Sequence, residues 1–138
     1  MKVQGDILIP GTAEGPALRL DAPISFWGGI DPATSEIVLA GHPQCGKNIA
    51  DVVLVVPELI GSSSSAAVML ELCYADAAPA ALVLGGRDAI LPVGVLVAGQ
   101  MGWKTVPVIS LRDPPFHTGD LLHVHGDGTI HCTPRSRS

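Results

Sequence analysis

A chain of 138 residues is of ordinary single-domain size, and at this length about 70% of the unfolded surface is buried on folding. Thirteen Asp plus Glu against eight Lys plus Arg, a net charge of −5, leave no basic stripe to neutralise nucleic-acid phosphates. With 47% apolar and only 15% charged residues, part of the apolar surface is expected to face a partner protein.

Three cysteines, Cys45, Cys73 and Cys132, are odd in number and widely spaced, which suggests neither a disulfide framework nor a self-contained metal site and fits the cytoplasm. No apolar run approaches the roughly 20 residues that span a bilayer, and none of signal-peptide length precedes Pro10. One domain over residues 1–133 with a disordered tail over 134–138 is expected.

Taken in chain order, the pieces 7–9, 17–20 and 37–39 read as early strands forming an antiparallel layer, with 11–15 as a connection and Asp31-Pro32 opening a turn. The runs 52–56 and 81–84 are continuous and aliphatic, as in central strands covered on both faces. A first helix follows the serines over 66–74, with Val68 and Leu72 on one stripe. A second is expected over about 93–101, with Pro92 at its first turn, Gly102 near its stop and Gly94 and Gly99 permitting close packing. Residues 121–124 and 129–132 flank Gly126-Asp127-Gly128, a hairpin signal. The succession implies an α/β fold of mixed β/β/α type rather than a plain doubly wound sheet.

Gly61-Ser62-Ser63-Ser64-Ser65 has a bland reading as a flexible linker. Its apolar flanks, Leu59-Ile60 and Ala66-Ala67-Val68, favour a strand-to-helix junction instead. At such a helix start the first N–H groups lack intrahelical partners, so one hydroxyl caps while others face a bound anion, and Gly61 lets the ligand approach. A purely structural helix start is the alternative on fold grounds.

Phe26-Trp27-Gly28-Gly29-Ile30-Asp31-Pro32, Gly41-His42-Pro43, Gly61 to Ser65 and Ala78-Pro79-Ala80-Ala81 follow one another as do the motifs of the aconitase X small subunit, which this chain resembles from about Gly11 to the last hairpin. The resemblance implies a swivelling β/β/α domain similar to the fourth domain of aconitase, with the iron-sulfur cluster carried by a separate large subunit. It implies that Ser62 is the base on the carbon beside the substrate carboxylate, that Ser63 is a neighbouring donor or oxyanion partner, and that Ser64 or Ser65 caps the helix. Trp27, Gly28 and Gly29 would line the pocket or meet the large subunit. In ordinary aconitases an arginine follows the two serines; Ser64 stands there here, so the resemblance implies a carboxylate clamp from backbone N–H groups or from the large subunit, and a monocarboxylate substrate. The four serines followed by Ala66-Ala67 look more like the bacterial cis-3-hydroxy-L-proline branch than the archaeal mevalonate 5-phosphate branch. No metal is expected on this chain itself.

Other polar residues carry weaker signals. His117, His123, His125 and His131 with Cys132 are the best metal argument, against which hairpin histidines without carboxylate support are usually exposed side chains. Two rival functions remain from the residues alone: a non-catalytic module holding a small anion at the serines, and a phosphohistidine swivel domain using His42.

Overall fold

The computed structural model describes residues 1–135. In chain order its elements are β1 (Lys2–Gln4), β2 (Asp6–Ile9), β3 (Ala13–Arg19), the single turn α1 (Phe26–Gly29), β4 (Ile30–Asp31), β5 (Glu36–Ile37), β6 (Val53–Val56), α2 (Ser65–Tyr74), β7 (Ala81–Leu84), α3 (Ile90–Gln100), β8 (Val108–Ser110), β9 (Leu121–Val124) and β10 (Thr129–Thr133).

The two aliphatic runs are β6 and β7, parallel neighbours buried along their whole length. Side chains alternate across a strand, so each run presents one set of apolar groups to each face. Leu54, Val56, Leu82 and Leu84 join a core with Met69 and Leu72 of α2 and Leu91 and Val95 of α3. Val53, Val55, Ala81 and Val83 join a second core with Leu122, Val124 and Ile130 of the terminal hairpin and with Phe116. The sheet β3-β6-β7-β8-β2 therefore lies between a helical layer and the antiparallel strands β1, β10 and β9, in the expected β/β/α order.

Strand β3 belongs to both sheets. Ala13 to Pro16 pair antiparallel with β9, and Ala17 to Arg19 pair parallel with β6. This corrects the expectation that residues 11–15 form a connection: Gly15 is buried within the strand, where a Cβ would stand 3.0 Å from the Asp51 carbonyl oxygen, so the glycine serves close approach and not a turn. The early strands also do not form one antiparallel layer. Strand β2 lies at the far edge beside β8, and β5 pairs with β4 alone.

The second helix begins at Ile90, three residues earlier than expected. Pro92 sits within its first turn, where the missing N–H has no intrahelical partner anyway, and Asp88 Oδ2 accepts the Leu91 N–H at 2.8 Å. A Cβ on Gly94 would lie 2.5 Å from the Ala66 carbonyl oxygen, which explains the glycine at the crossing of the two helices. Of the tail expected over 134–138, residues 136–138 lie outside the described residues. The Arg135 N–H donates to Asp120 Oδ1 at 3.0 Å.

Candidate functional site at the carboxyl edge of the parallel strands

Strands β3, β6, β7 and β8 run parallel, so the loops that leave their carboxyl ends gather on one edge, where ligands of open α/β sheets bind. The β6 loop carries Gly61 to Ser64 into the start of α2. Ser62 is half-buried, Ser63 exposed and Ser64 half-buried, and the Ser62 carbonyl accepts the Ser65 N–H at 3.0 Å. A Cβ on Gly61 would meet nothing in this chain within 4 Å, so its open side faces solvent.

The fold brings Trp27, Gly28 and Gly29 to the same place. The buried Ser65 Oγ accepts the Trp27 N–H at 3.1 Å and lies 3.4 Å from Ser25 Oγ, while the Ile60 N–H donates to the Ile24 carbonyl at 2.8 Å. Trp27 (ψ 114°) and Gly28 (φ 82°) have the angles of a type II turn, which demands glycine at its second position, and the turn leaves Trp27 62% exposed. Gly29 is required by packing, since a Cβ there would lie 2.6 Å from Ile24 Cγ1.

The capping role expected of Ser64 or Ser65 is corrected. Ser64 occupies the N-cap position with helical angles (φ −73°, ψ −15°) and forms no side-chain cap hydrogen bond. A capping hydroxyl reaches the first-turn N–H groups from extended backbone, which this residue lacks. Ser65 lies within the helix and instead ties α2 to the tryptophan loop.

Five residues absent from the sequence expectations, Glu58, Gly85, Gly86, Arg87 and Asp88, complete the edge. A cleft of about 490 Å³ runs between the β6 and β7 loops, lined by Glu58 and Gly61 on one side and by Gly85, Gly86, Arg87 and Asp88 on the other. The loops are pressed together: the Gly85 N–H donates to the Val56 carbonyl at 2.9 Å, and a Cβ on Gly85 would stand 2.1 Å from the Pro57 carbonyl oxygen. The available signal was Gly85-Gly86 directly after a buried strand.

The remaining motifs take structural places. His42 is buried, with Nε2 3.0 Å from the Ala22 carbonyl oxygen and Nδ1 accepting the Gln44 N–H at 3.0 Å, so neither ring nitrogen is free to carry a phosphoryl group. Ala78-Pro79-Ala80 lines a cleft at the opposite, amino edge of the sheet with Glu14, Asp51 and Lys104. His123 stacks on His125 with ring centroids 4.3 Å apart, and His131 pairs with His123 across the hairpin. Among the described residues no group of three His, Cys, Asp or Glu side chains is placed to hold a metal ion; the three cysteines are free, Cys45 exposed and Cys73 and Cys132 in separate cores. Burial pushes the Cys73 thiol up from its ordinary value.

Comparison with known proteins places the chain and its fold in one family. The aconitase X swivel domain family matches residues 2–132. The cis-3-hydroxy-L-proline dehydratases of Hypocrea jecorina and Pseudomonas aeruginosa are 37% and 36% identical over 82% and 77% of this chain, which spans about a fifth of their length (19% and 18%). The phosphomevalonate dehydratase small subunit of Methanocella arvoryzae is 34% identical over 94% of this chain and 97% of its own. The crystal structure of Thermococcus kodakaraensis aconitase X superposes with a TM-score of 0.86 at 28% identity, covering 96% of this chain and 98% of that one. The chain belongs to the aconitase X swivel domain family.

Proposed function

We propose that this chain is the small subunit of a cytoplasmic two-subunit dehydratase that removes water from cis-3-hydroxy-L-proline, with Ser62 as the base. The observation that carries the reading is the meeting of the serine loop and the Trp27-Gly28-Gly29 turn at the carboxyl edge, joined through Ser65. In the reaction the Ser62 alkoxide takes the proton from C2. The C2–H electron pair forms the C2=C3 bond, the C3 hydroxyl departs as water after gaining a proton, and the enamine tautomerises to Δ1-pyrroline-2-carboxylate. An alkoxide in water is strongly disfavoured, so Ser62 needs a closed, dry site, and the α2 N-terminus contributes positive potential there. The iron-sulfur cluster implied by the family would be carried by the large subunit, where it would supply Lewis-acid chemistry for the leaving hydroxyl.

The helical layer supports a large protein partner. Helices α2 and α3 together carry one charged residue, Glu71, and α3 exposes Val93, Leu96 and Val97. A helix that is apolar all round is a buried helix, and here the outer face needs a cover. In the hydroxyproline dehydratases the matched region is a fifth of one long chain, so the body that would cover this face is there covalently attached. A second reading, the small subunit of a mevalonate 5-phosphate dehydratase, is favoured by the near full-length match to the Methanocella arvoryzae chain.

The deciding experiment is anaerobic co-purification with a large subunit and assay on both compounds, wild type beside Ser62→Ala. Activity on cis-3-hydroxy-L-proline that needs both chains and collapses in Ser62→Ala is expected. Full activity in the variant overturns the base assignment, and activity on mevalonate 5-phosphate alone overturns the substrate.

A further inference from the structure

The geometry points to Arg87 and Glu58 as the pair that reads the zwitterion of an imino acid, Arg87 taking the carboxylate and Glu58 the ring ammonium. This inference rests on the proposed dehydratase reading and identifies how that site selects its substrate.

Ser64 follows the second serine and offers a bound carboxylate no cation, so Arg87, rather than the expected backbone N–H groups or large subunit, is assigned the grip. Arg87 lines the cleft that Gly61 lines from the other side, one residue from Ser62. Its guanidinium approaches Asp6 at 3.7 Å, but both side chains are more than 70% exposed (77% and 71%), and an ion pair in that setting holds its partners weakly. The planar fork is thus available for the bidentate grip that a carboxylate accepts.

The acidic residues on the walls narrow the ligand further. Asp88 is committed, since its Oδ2 accepts the Leu91 N–H at the start of α3. Glu58 is exposed on the β6 side, across the cleft from the Arg87 loop. One guanidinium and one carboxylate on facing loops match a molecule that carries one carboxylate and one ammonium. A molecule with a carboxylate and a phosphate would bring its second anion toward Glu58 and Asp88, and like charges at contact distance oppose binding. The spacing is held by the backbone, because Gly85 presses the β7 loop onto Pro57 with no room for a Cβ.

The test uses the two-subunit complex, with calorimetric binding of L-proline (a zwitterion) and pyrrole-2-carboxylate (an anion without an ammonium), and KM for cis-3-hydroxy-L-proline. Arg87→Gln is expected to weaken both ligands and raise KM by about tenfold or more, with kcat changed far less. Glu58→Gln is expected to weaken L-proline by a similar factor while leaving pyrrole-2-carboxylate as tight as before or tighter. A general structural defect would weaken both ligands equally in Glu58→Gln, and that result overturns the assignment, as do unchanged affinities in Arg87→Gln. Wild-type binding is read first. A complex that binds mevalonate 5-phosphate and not L-proline overturns the substrate reading itself, whereas L-proline binding that neither variant alters overturns only the roles of Arg87 and Glu58.

Discussion

Ser65→Ala separates a tie between two loops from a helix cap. The hydroxyl is 3% exposed for its residue as a whole and accepts the Trp27 N–H at 3.1 Å. Truncation removes that acceptor and leaves the amide facing a methyl group. A buried donor without a partner costs about 1–3 kcal/mol, and the exposure of the neighbouring turn lets water recover part of this, so a loss of about 1–1.5 kcal/mol is expected. For a domain of this size that lowers Tm by roughly 3–6 °C. Ser64→Ala removes a hydroxyl that forms no cap hydrogen bond and is expected to change stability by less than about 0.5 kcal/mol. Thermal melts of the two variants beside wild type measure the difference, and amide exchange at Trp27 localises it, rising in Ser65→Ala and not in Ser64→Ala. Equal melting of the two variants, or a larger loss in Ser64→Ala, refutes the assignment of the tie to Ser65.

Gly85→Ala forces a Cβ to within 2.1 Å of the Pro57 carbonyl oxygen and is expected to cost about 2–3 kcal/mol in urea unfolding, whereas Gly86→Ala, with nothing within 4 Å of its Cβ, is expected to cost far less. Burial works to raise the Asp120 carboxyl, but the Arg135 and His117 N–H bonds and the Cys132 thiol outweigh it and hold the group below the ordinary carboxylate value. A depressed folded-state pKa contributes stability that is present above the unfolded value of about 3.9 and lost as pH falls through the folded one. Asp120→Asn should therefore flatten the loss of stability below about pH 4, seen as a weaker pH dependence of Tm. The double change Leu96→Glu with Val97→Glu puts two charges on the exposed face of α3 and is expected to abolish co-purification with the large subunit while leaving the chain's own melting nearly unchanged.

The central sheet was legible because β6 and β7 are buried on both faces, and burial on both faces leaves an uninterrupted aliphatic run in the sequence. The serine junction was legible for the same reason, since apolar flanks left no slack for a linker. Strand β3 was not, because Gly15-Pro16 carry the local signal of a turn while the structure uses the glycine for close approach at the point where the strand changes sheets. The start of α3 was not legible from Pro92, because the side chain that serves the first-turn N–H is Asp88, two residues before the helix. Ser65 was legible as part of the junction, but its tie to Trp27, like the roles of Glu58 and Arg87, was beyond reach for a different reason. Their importance lies in pairings between loops far apart in sequence, 38 residues in the case of Ser65 and Trp27, and no local pattern records such a pairing.

The same tertiary arrangement bears on why a domain of this kind would depend on a partner. The loops of the carboxyl edge are fixed from within the chain, by Ser65 to the tryptophan turn and by Gly85 to Pro57, so the positions of Ser62 and Arg87 do not need a second protein to set them. What the edge lacks is enclosure: Ser63 and Gly61 are exposed, Trp27 projects into solvent, and the nearby His42 spends both ring nitrogens on backbone groups. A serine hydroxyl in that setting keeps the high pKa of an alcohol, and positive potential from one helix terminus, worth about 0.3–1 kcal/mol at an exposed site, is too small to lower it to neutrality. On the proposed mechanism the large subunit must therefore exclude water over Ser62 before the proton transfer becomes feasible. The isolated chain should then bind an imino acid weakly through Arg87 and Glu58 yet turn none over.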